Sequence, residues 1–274
     1  MSLSRRLLYA SEIWEVARPR TALTAGHLII RLSNPAVAFD PGSAADWLLC
    51  HDAARQALAD VLGATRCTVL FAHQWHPLGA AIGEPEVESS TPTFHLFGRW
   101  DGETVTPGEQ LLLPAQRRVP VAPEELVNFD DGLRAALRRA AVERAAGARW
   151  QFEAMPGSGT AANCHLAEPD PLGGALPEIL MKAPEAKAGR HHTVLCPASL
   201  SEASYHALTP GHLLALAAAV QELTDCPGVT GLSCVVPDPG AGPLEVHALG
   251  RSAGESVNPL QEFLSIPKVS QALL

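Results

Sequence analysis

The order of apolar and polar positions along the chain repeats. "EIWEVARPRTALTAGHLIIRL" (Glu12 to Leu32) and "EILMKAPEAKAGRHHTVLCP" (Glu178 to Pro197) each begin Glu-Ile, pass a proline and reach a histidine that opens an apolar run. Those runs, "HLIIRL" and "HTVLC", have the length and composition of strands. A helical pattern follows each. In the first copy it covers Ala44 to Leu62, where Trp47, Leu48, Ala54, Leu58, Val61 and Leu62 form one stripe. In the second it covers Pro210 to Leu223, with Thr209 at the N-cap and Pro210 at the first helical position. Next come "CTVLFA" from Cys67 and "GLSCVVP" from Gly231. Each copy then closes on a further run, "TPTFHLFGRW" (Thr91 to Trp100) and "GPLEVHALGR" (Gly242 to Arg251). Strand, helix, strand, strand thus occurs twice, and both copies end with a histidine four residues before an arginine.

The stretch between the copies differs. Gly102 to Val121 reads as loop with some strand character. Pro123 to Gly147 is a helix with an acidic start and an arginine-rich second half, matching its dipole. Met155 to Leu176 is an irregular connection, and its "PGSGTAANC" lacks the lysine and spacing of a phosphate-binding P-loop. The expected division is a first repeat over 1–101, a helical and loop connection over 102–171, and a second repeat over 172–274.

Composition narrows the function classes. Of 274 residues, 47% are hydrophobic and 18% charged, so a sizeable core is expected. The formal net charge of −9 argues against a nucleic-acid polymer as partner, while leaving room for a small ligand that is phosphorylated. The six cysteines form no C-x-x-C pair, the N-terminus does not read as a signal peptide, and no apolar run is long enough to span a membrane. A reduced, cytoplasmic protein is the expectation, with no cofactor evident.

The closing runs carry the candidate chemistry. Side chains at i, i+2 and i+4 of a strand share a face. Thr91, Thr93 and His95 therefore lie together, with Phe94 and Leu96 turned the other way. Likewise Pro243, Glu245 and His247 lie opposite Leu244, Val246 and Ala248. Each copy pairs an imidazole with an oxygen-bearing neighbour, and a Glu–His pair can raise the imidazole pKa, orient its tautomer or share a proton. The candidate catalytic residues are Glu245, His247, His95 and Thr93. Arg99 and Arg251 suit a phosphate or carboxylate, and equally an internal ion pair. In "AHQWHPLG", His73, Trp75 and His76 could stack on or bond to a ring, or simply anchor a loop. His73 and His76 with Cys164 or His165 match no strong zinc template, and no metal is assigned. His27 and His192, which open matching strands, read as packing or hydrogen-bonding residues.

"AGHLII" followed by "TFHLFGRW", and then "LEVHALGR", resembles the histidine-triad superfamily, whose pattern is H-φ-H-φ-H-φ-φ at the end of a domain opened by a G-H-L strand. A tandem in one chain is similar to galactose-1-phosphate uridylyltransferases and diadenosine-tetraphosphate phosphorylases. The resemblance implies an α+β fold: two antiparallel sheet-plus-helix repeats joined into one larger pseudo-dimeric sheet, which a single chain can complete alone. It also implies a nucleotide or other small polar metabolite, phosphorylated or not, as substrate. The departures are specific. The family's nucleophilic middle histidine is Thr93 in one copy and Glu245 in the other, and only the last histidine of each triad remains. The further histidine often found after the opening strand is also missing, with Pro35 and about Leu200 in its place. The expected function is an enzyme using general acid/base chemistry (transfer, elimination or addition) without a nucleotidyl-histidine, because both copies keep polar residues on the catalytic face; the alternatives are nucleotidyl or phosphoryl transfer or hydrolysis by direct attack, and a non-catalytic nucleotide- or metabolite-binding protein.

Overall fold

A computed structural model of the chain describes residues 6–74, 82–86, 92–153, 175–200, 207–238 and 242–272. The six apolar runs become strands, and three short strands not expected from the sequence, the first, second and sixth, join them: β1 (Leu7–Ala10), β2 (Trp14–Ala17), β3 (His27–Leu32), β4 (Arg66–His73), β5 (Thr93–Arg99), β6 (Ile179–Lys182), β7 (His191–Pro197), β8 (Gly231–Val236) and β9 (Val246–Arg251). They form one sheet, antiparallel at every pairing, in the order β1-β2-β3-β5-β4-β8-β9-β7-β6. Apart from β1 the order is a palindrome. Its centre is the β4–β8 pairing, where Leu70 faces Val235. These two occupy equivalent places, since Leu70 pairs with His95 and Val235 with His247. A local pseudo-twofold axis therefore passes between them.

Two long helices and the connection helix cover one face. These are α1 (Pro41–Leu62), α3 (Pro123–Glu153) and α4 (Pro210–Thr224). Asp40 and Ser43 form a capping box at the start of α1, and Gly63 ends it in the left-handed conformation (φ 70°). Thr209 and His212 do the same at the start of α4. The core under these helices takes Trp14, Leu28, Ile30 and Leu96 from the first copy and Leu232, Cys234, Val246 and Ala248 from the second. Phe94 and Leu96 are thus on the packed face, as their alternation with Thr93 and His95 requires.

The opposite face, which carries the histidines, has a core of its own. Leu70, Phe97, Val235 and Leu249 are covered by three short helices, α2 (Pro107–Leu111), α5 (Pro259–Leu264) and α6 (Pro267–Ala272), through Leu111, Leu260, Phe263, Leu264 and Val269. The strand character expected within 102–121 is not found. That stretch forms α2 and a single 3-10 turn at Ala115–Arg117, because Thr106 and Glu109 make a capping box there with Pro107 at the first helical position. No helix among the described residues is long and apolar enough to cross a membrane.

Candidate functional site

In each copy the opening strand and the closing strand bring two histidines together. His27 on β3 pairs across from Phe97 on β5, which places its ring beside His95; Nε2 of His27 lies 3.0 Å from Nδ1 of His95. In the second copy His192 Nε2 lies 3.1 Å from His247 Nδ1. The inner ring of each pair is anchored alike. The Leu23 N–H donates to His27 Nδ1 at 3.2 Å, and the Ala188 N–H donates to His192 Nδ1 at 3.1 Å, each from four residues earlier in the chain.

These bonds determine where the protons sit. A backbone N–H can only donate, so His27 Nδ1 and His192 Nδ1 carry no proton. The neutral inner rings must then hold their proton on Nε2 and donate it to the outer ring's Nδ1. The outer rings, His95 and His247, are left with their own proton on Nε2. All four rings are held neutral. Burial lowers His95 to about 3, and His192 and His247 to about 4. Burial also pushes His27 well below its ordinary value, helped by His95 and the Arg18 guanidinium. Arg18 is itself buried; it bonds Asp130 at 2.7 Å and donates to the His27 carbonyl at 3.0 Å, so it fixes the start of β3 against α3.

An Nε2–H imidazole without a titratable lone pair facing outward is a hydrogen-bond donor. It is neither a base nor a nucleophile near neutral pH. For His247 this reverses the direction expected from its carboxylate neighbour. Glu245 Oε2 is 3.8 Å from His247 Nε2, beyond hydrogen-bond length, and the Glu245 side chain is 41% exposed. Burial against Phe263, whose ring centroid is 4.7 Å from that of His247, outweighs it. Glu245 itself precedes β9, which starts at Val246.

The two copies differ in what surrounds the outer ring. His95 lines two cavities, one of about 700 Å³ and a void of about 10 Å³ shared with His27 and Arg118. Neither Glu245 nor His247 is among the described residues lining either one. Thr93 lines the larger cavity on the same face as His95; Glu84, Glu86 and His73 line it too, His73 from the face that carries Phe71 and Phe94. Most of the other lining is apolar, including Trp14, Trp47, Phe71, Phe94 and Leu216. His73 reaches across the seam to Gln221 of α4, with Nε2 3.1 Å from Oε1. Trp75, His76, Thr91, Cys164 and His165 lie outside the described residues.

Both arginines of the H-φ-φ-G-R strings are engaged by carboxylates. Arg99 is bonded to Glu103 and lies six residues along β5 from Thr93, roughly 20 Å at strand rise. Arg251 is 1% exposed and bonds Glu84 Oε1 at 3.0 Å. Glu84 also accepts from Ser233 Oγ at 3.3 Å, and its carbonyl accepts from Arg118 Nη1 at 2.7 Å. The Arg251–Glu84 pair thus joins the second copy's closing strand to a segment inserted in the first. Glu84 lies outside the repeated runs, and Ser233, within "GLSCVVP", reads only as part of a strand.

A serine–histidine contact, Ser199 Oγ to His212 Nε2 at 2.9 Å, has the spacing of a nucleophile and its base. The Thr209 N–H donates to His212 Nδ1 at 3.2 Å, so Nε2 again carries the proton. His212 donates to the serine there and serves as a cap of α4. Among the described residues no group of three or more His, Cys, Asp or Glu is placed to hold a metal ion.

No protein-family model matches the sequence, and no curated protein does. Two solved structures of histidine-triad type are similar in part. A zinc-bound histidine triad family protein from Mycobacterium smegmatis is 18% identical, with a TM-score of 0.33, over 48% of this chain and 84% of that one. A Hit-like protein involved in cell-cycle regulation from Bartonella henselae, with an unknown ligand, is 15% identical, with a TM-score of 0.29, over 48% of this chain and 85% of that one.

Proposed function

We propose that this chain is a diverged tandem of the histidine-triad type and that it binds a small molecule in the cavity bordered by His95. The palindromic sheet supports the tandem, as does the duplicated backbone-to-histidine-to-histidine chain of hydrogen bonds. The observation that carries the binding reading is the asymmetry of that duplicate. Both outer rings are locked as Nε2–H donors, and His95 lines a cavity of ligand size, about 700 Å³. The ligand supplies a hydrogen-bond acceptor to His95 Nε2–H, with the Thr93 hydroxyl beside it. The tautomer favours binding over catalysis by the paired histidines, because neither pair offers a free basic nitrogen.

The test is extraction and mass spectrometry of whatever copurifies with the full chain, compared with His95→Phe. A molecule retained by the parent and depleted at least tenfold in the variant supports the reading. Equal retention by a folded His95→Phe protein contradicts it.

A second reading rests on Glu245. Its carboxylate is half-exposed and its Oε2 lies 3.8 Å from His247 Nε2; closing that gap to hydrogen-bond length would make Glu245 the base and His247 its orienting donor. Turnover of a copurified molecule that Glu245→Gln abolishes, with binding intact, would move the function from binding to acid/base catalysis.

A further inference from the structure

The larger cavity has two chemically distinct ends. Thr93 and His95 lie on one face of β5, and Phe94 lies on the other, yet all three line the same cavity. The space therefore runs past the start of β5, from the histidine face to the face covered by α1 and α4. At the first end the described lining holds most of the polar groups, Thr93, His95, Glu84, Glu86 and Ser233, beside Leu70 and Leu260. At the second it is aromatic and aliphatic. Trp14 and Trp47 each meet Phe94 edge-on, at centroid distances of 5.8 and 5.2 Å, and Phe71 packs at 5.0 Å. Leu213, Leu216 and Val220 of α4 close that end from the second copy.

The charges are as lopsided as the polarity. The described lining includes two carboxylates and neither lysine nor arginine. Arg251 lies behind Glu84 and is bonded to it, and Glu86 accepts from Thr21 Oγ1 at 2.7 Å. A phosphate or carboxylate entering this space would find no cation among the described lining residues to bond it, since Arg251 is already engaged by Glu84, and an anion left unpaired in a low-dielectric setting is costly. An apolar body gains instead from burial against the rings.

From these two gradients we infer that the ligand is amphipathic and carries no negative charge. Its apolar or ring-bearing body sits between α1 and α4, and a neutral hydrogen-bond-accepting head (alcohol, ketone, ester or amide) meets Thr93 and His95. This rests on the reading of the cavity as a binding site and narrows the ligand away from nucleotides and sugar phosphates.

The experiment uses the full chain with Nile red, a neutral dye with an apolar body and a carbonyl, followed by displacement with n-decanol and with decyl phosphate near pH 7.5. The expected result is saturable dye binding, displacement by decanol, and displacement by decyl phosphate at least tenfold weaker. Ala217→Trp is expected to weaken dye binding at least tenfold; Ala217 lines the cavity from an exposed position on α4, so the fold tolerates the larger side chain. Phe39→Ala, also at an exposed lining residue, is expected to weaken it several-fold. Decyl phosphate binding as well as decanol would overturn the charge assignment and leave the cavity as a binding site. Dye binding unaffected by Ala217→Trp and Phe39→Ala would overturn the placement of the apolar body. No dye binding, with a polar molecule still retained through His95, would overturn the ligand class and spare the proposed function.

Discussion

His27 decides which nitrogen His95 presents. The sequence marked both histidines and the shared face of Thr93 and His95, and it marked His27 and His192 as hydrogen-bonding or packing residues. It could not show that each inner ring takes a backbone N–H, because that bond depends on how the four residues before it turn. Replacing His27 by Phe frees His95 Nδ1 and with it the choice of tautomer, so affinity for the cavity ligand should fall at least tenfold while circular dichroism stays native. A second consequence concerns pH. The four paired histidines, and His51 and His212 with them, have folded pKa values below the ordinary 6.5. Between 6.5 and the folded values the unfolded chain binds more protons than the native one, so stability rises with pH across that window and is lost as pH falls through it. Each histidine kept neutral costs up to about 1.4 kcal/mol per pH unit below 6.5. Urea midpoints should therefore drop steadily from pH 7 to pH 4, and His95→Phe should flatten that slope. A midpoint independent of pH over this range would contradict the burial of these rings as neutral groups.

Among the elements, the six longer strands and the long helices were legible; the four-residue strands β1, β2 and β6 and the short capping helices were not. α1, α4 and the connection helix carry enough turns to show a stripe. α2, α5 and α6 span five or six residues each, too few for periodicity, yet they close the histidine face. The Glu84–Arg251 pair was illegible for another reason: its members are 167 positions apart and belong to different copies. Position 231 shows how tightly the pair is seated. It is the counterpart of Arg66, yet it is glycine, and a Cβ there would lie 2.4 Å from the Gln74 carbonyl and 2.8 Å from Arg251 Nη2. Glu84→Gln leaves a buried guanidinium without its counter-charge and should cost about 3–5 kcal/mol in chemical denaturation. Adding Arg251→Met should recover part of that loss; an additive double mutant would mean that the pair is not coupled.

At the scale of the whole molecule the repeat was the strongest sequence signal, and the nine-stranded sheet realises it with the pseudo-twofold at Leu70 and Val235. What the repeat concealed was inequality. Equal strings, H-φ-φ-G-R, end in unequal surroundings: a cavity at His95, and Phe263 from the C-terminal region over His247. Because β4 and β8 share one ladder, the halves should melt together. Val235→Asp places a charge at a fully buried position on the seam and should abolish the single cooperative transition of the chain. Survival of a native-like transition within about 1 kcal/mol of the parent would show that the seam is not a shared core.

In the proposed function His95 faces its cavity as a neutral Nε2–H donor. Long-range ¹H–¹⁵N correlation of histidine-labelled full-length protein reads this directly, since the protonated and unprotonated ring nitrogens resonate far apart. The account predicts Nε2–H patterns for His27, His95, His192 and His247 at pH 7, with His95 unchanged down to pH 5. A charged His95 ring at pH 7, or a proton on its Nδ1, would contradict it.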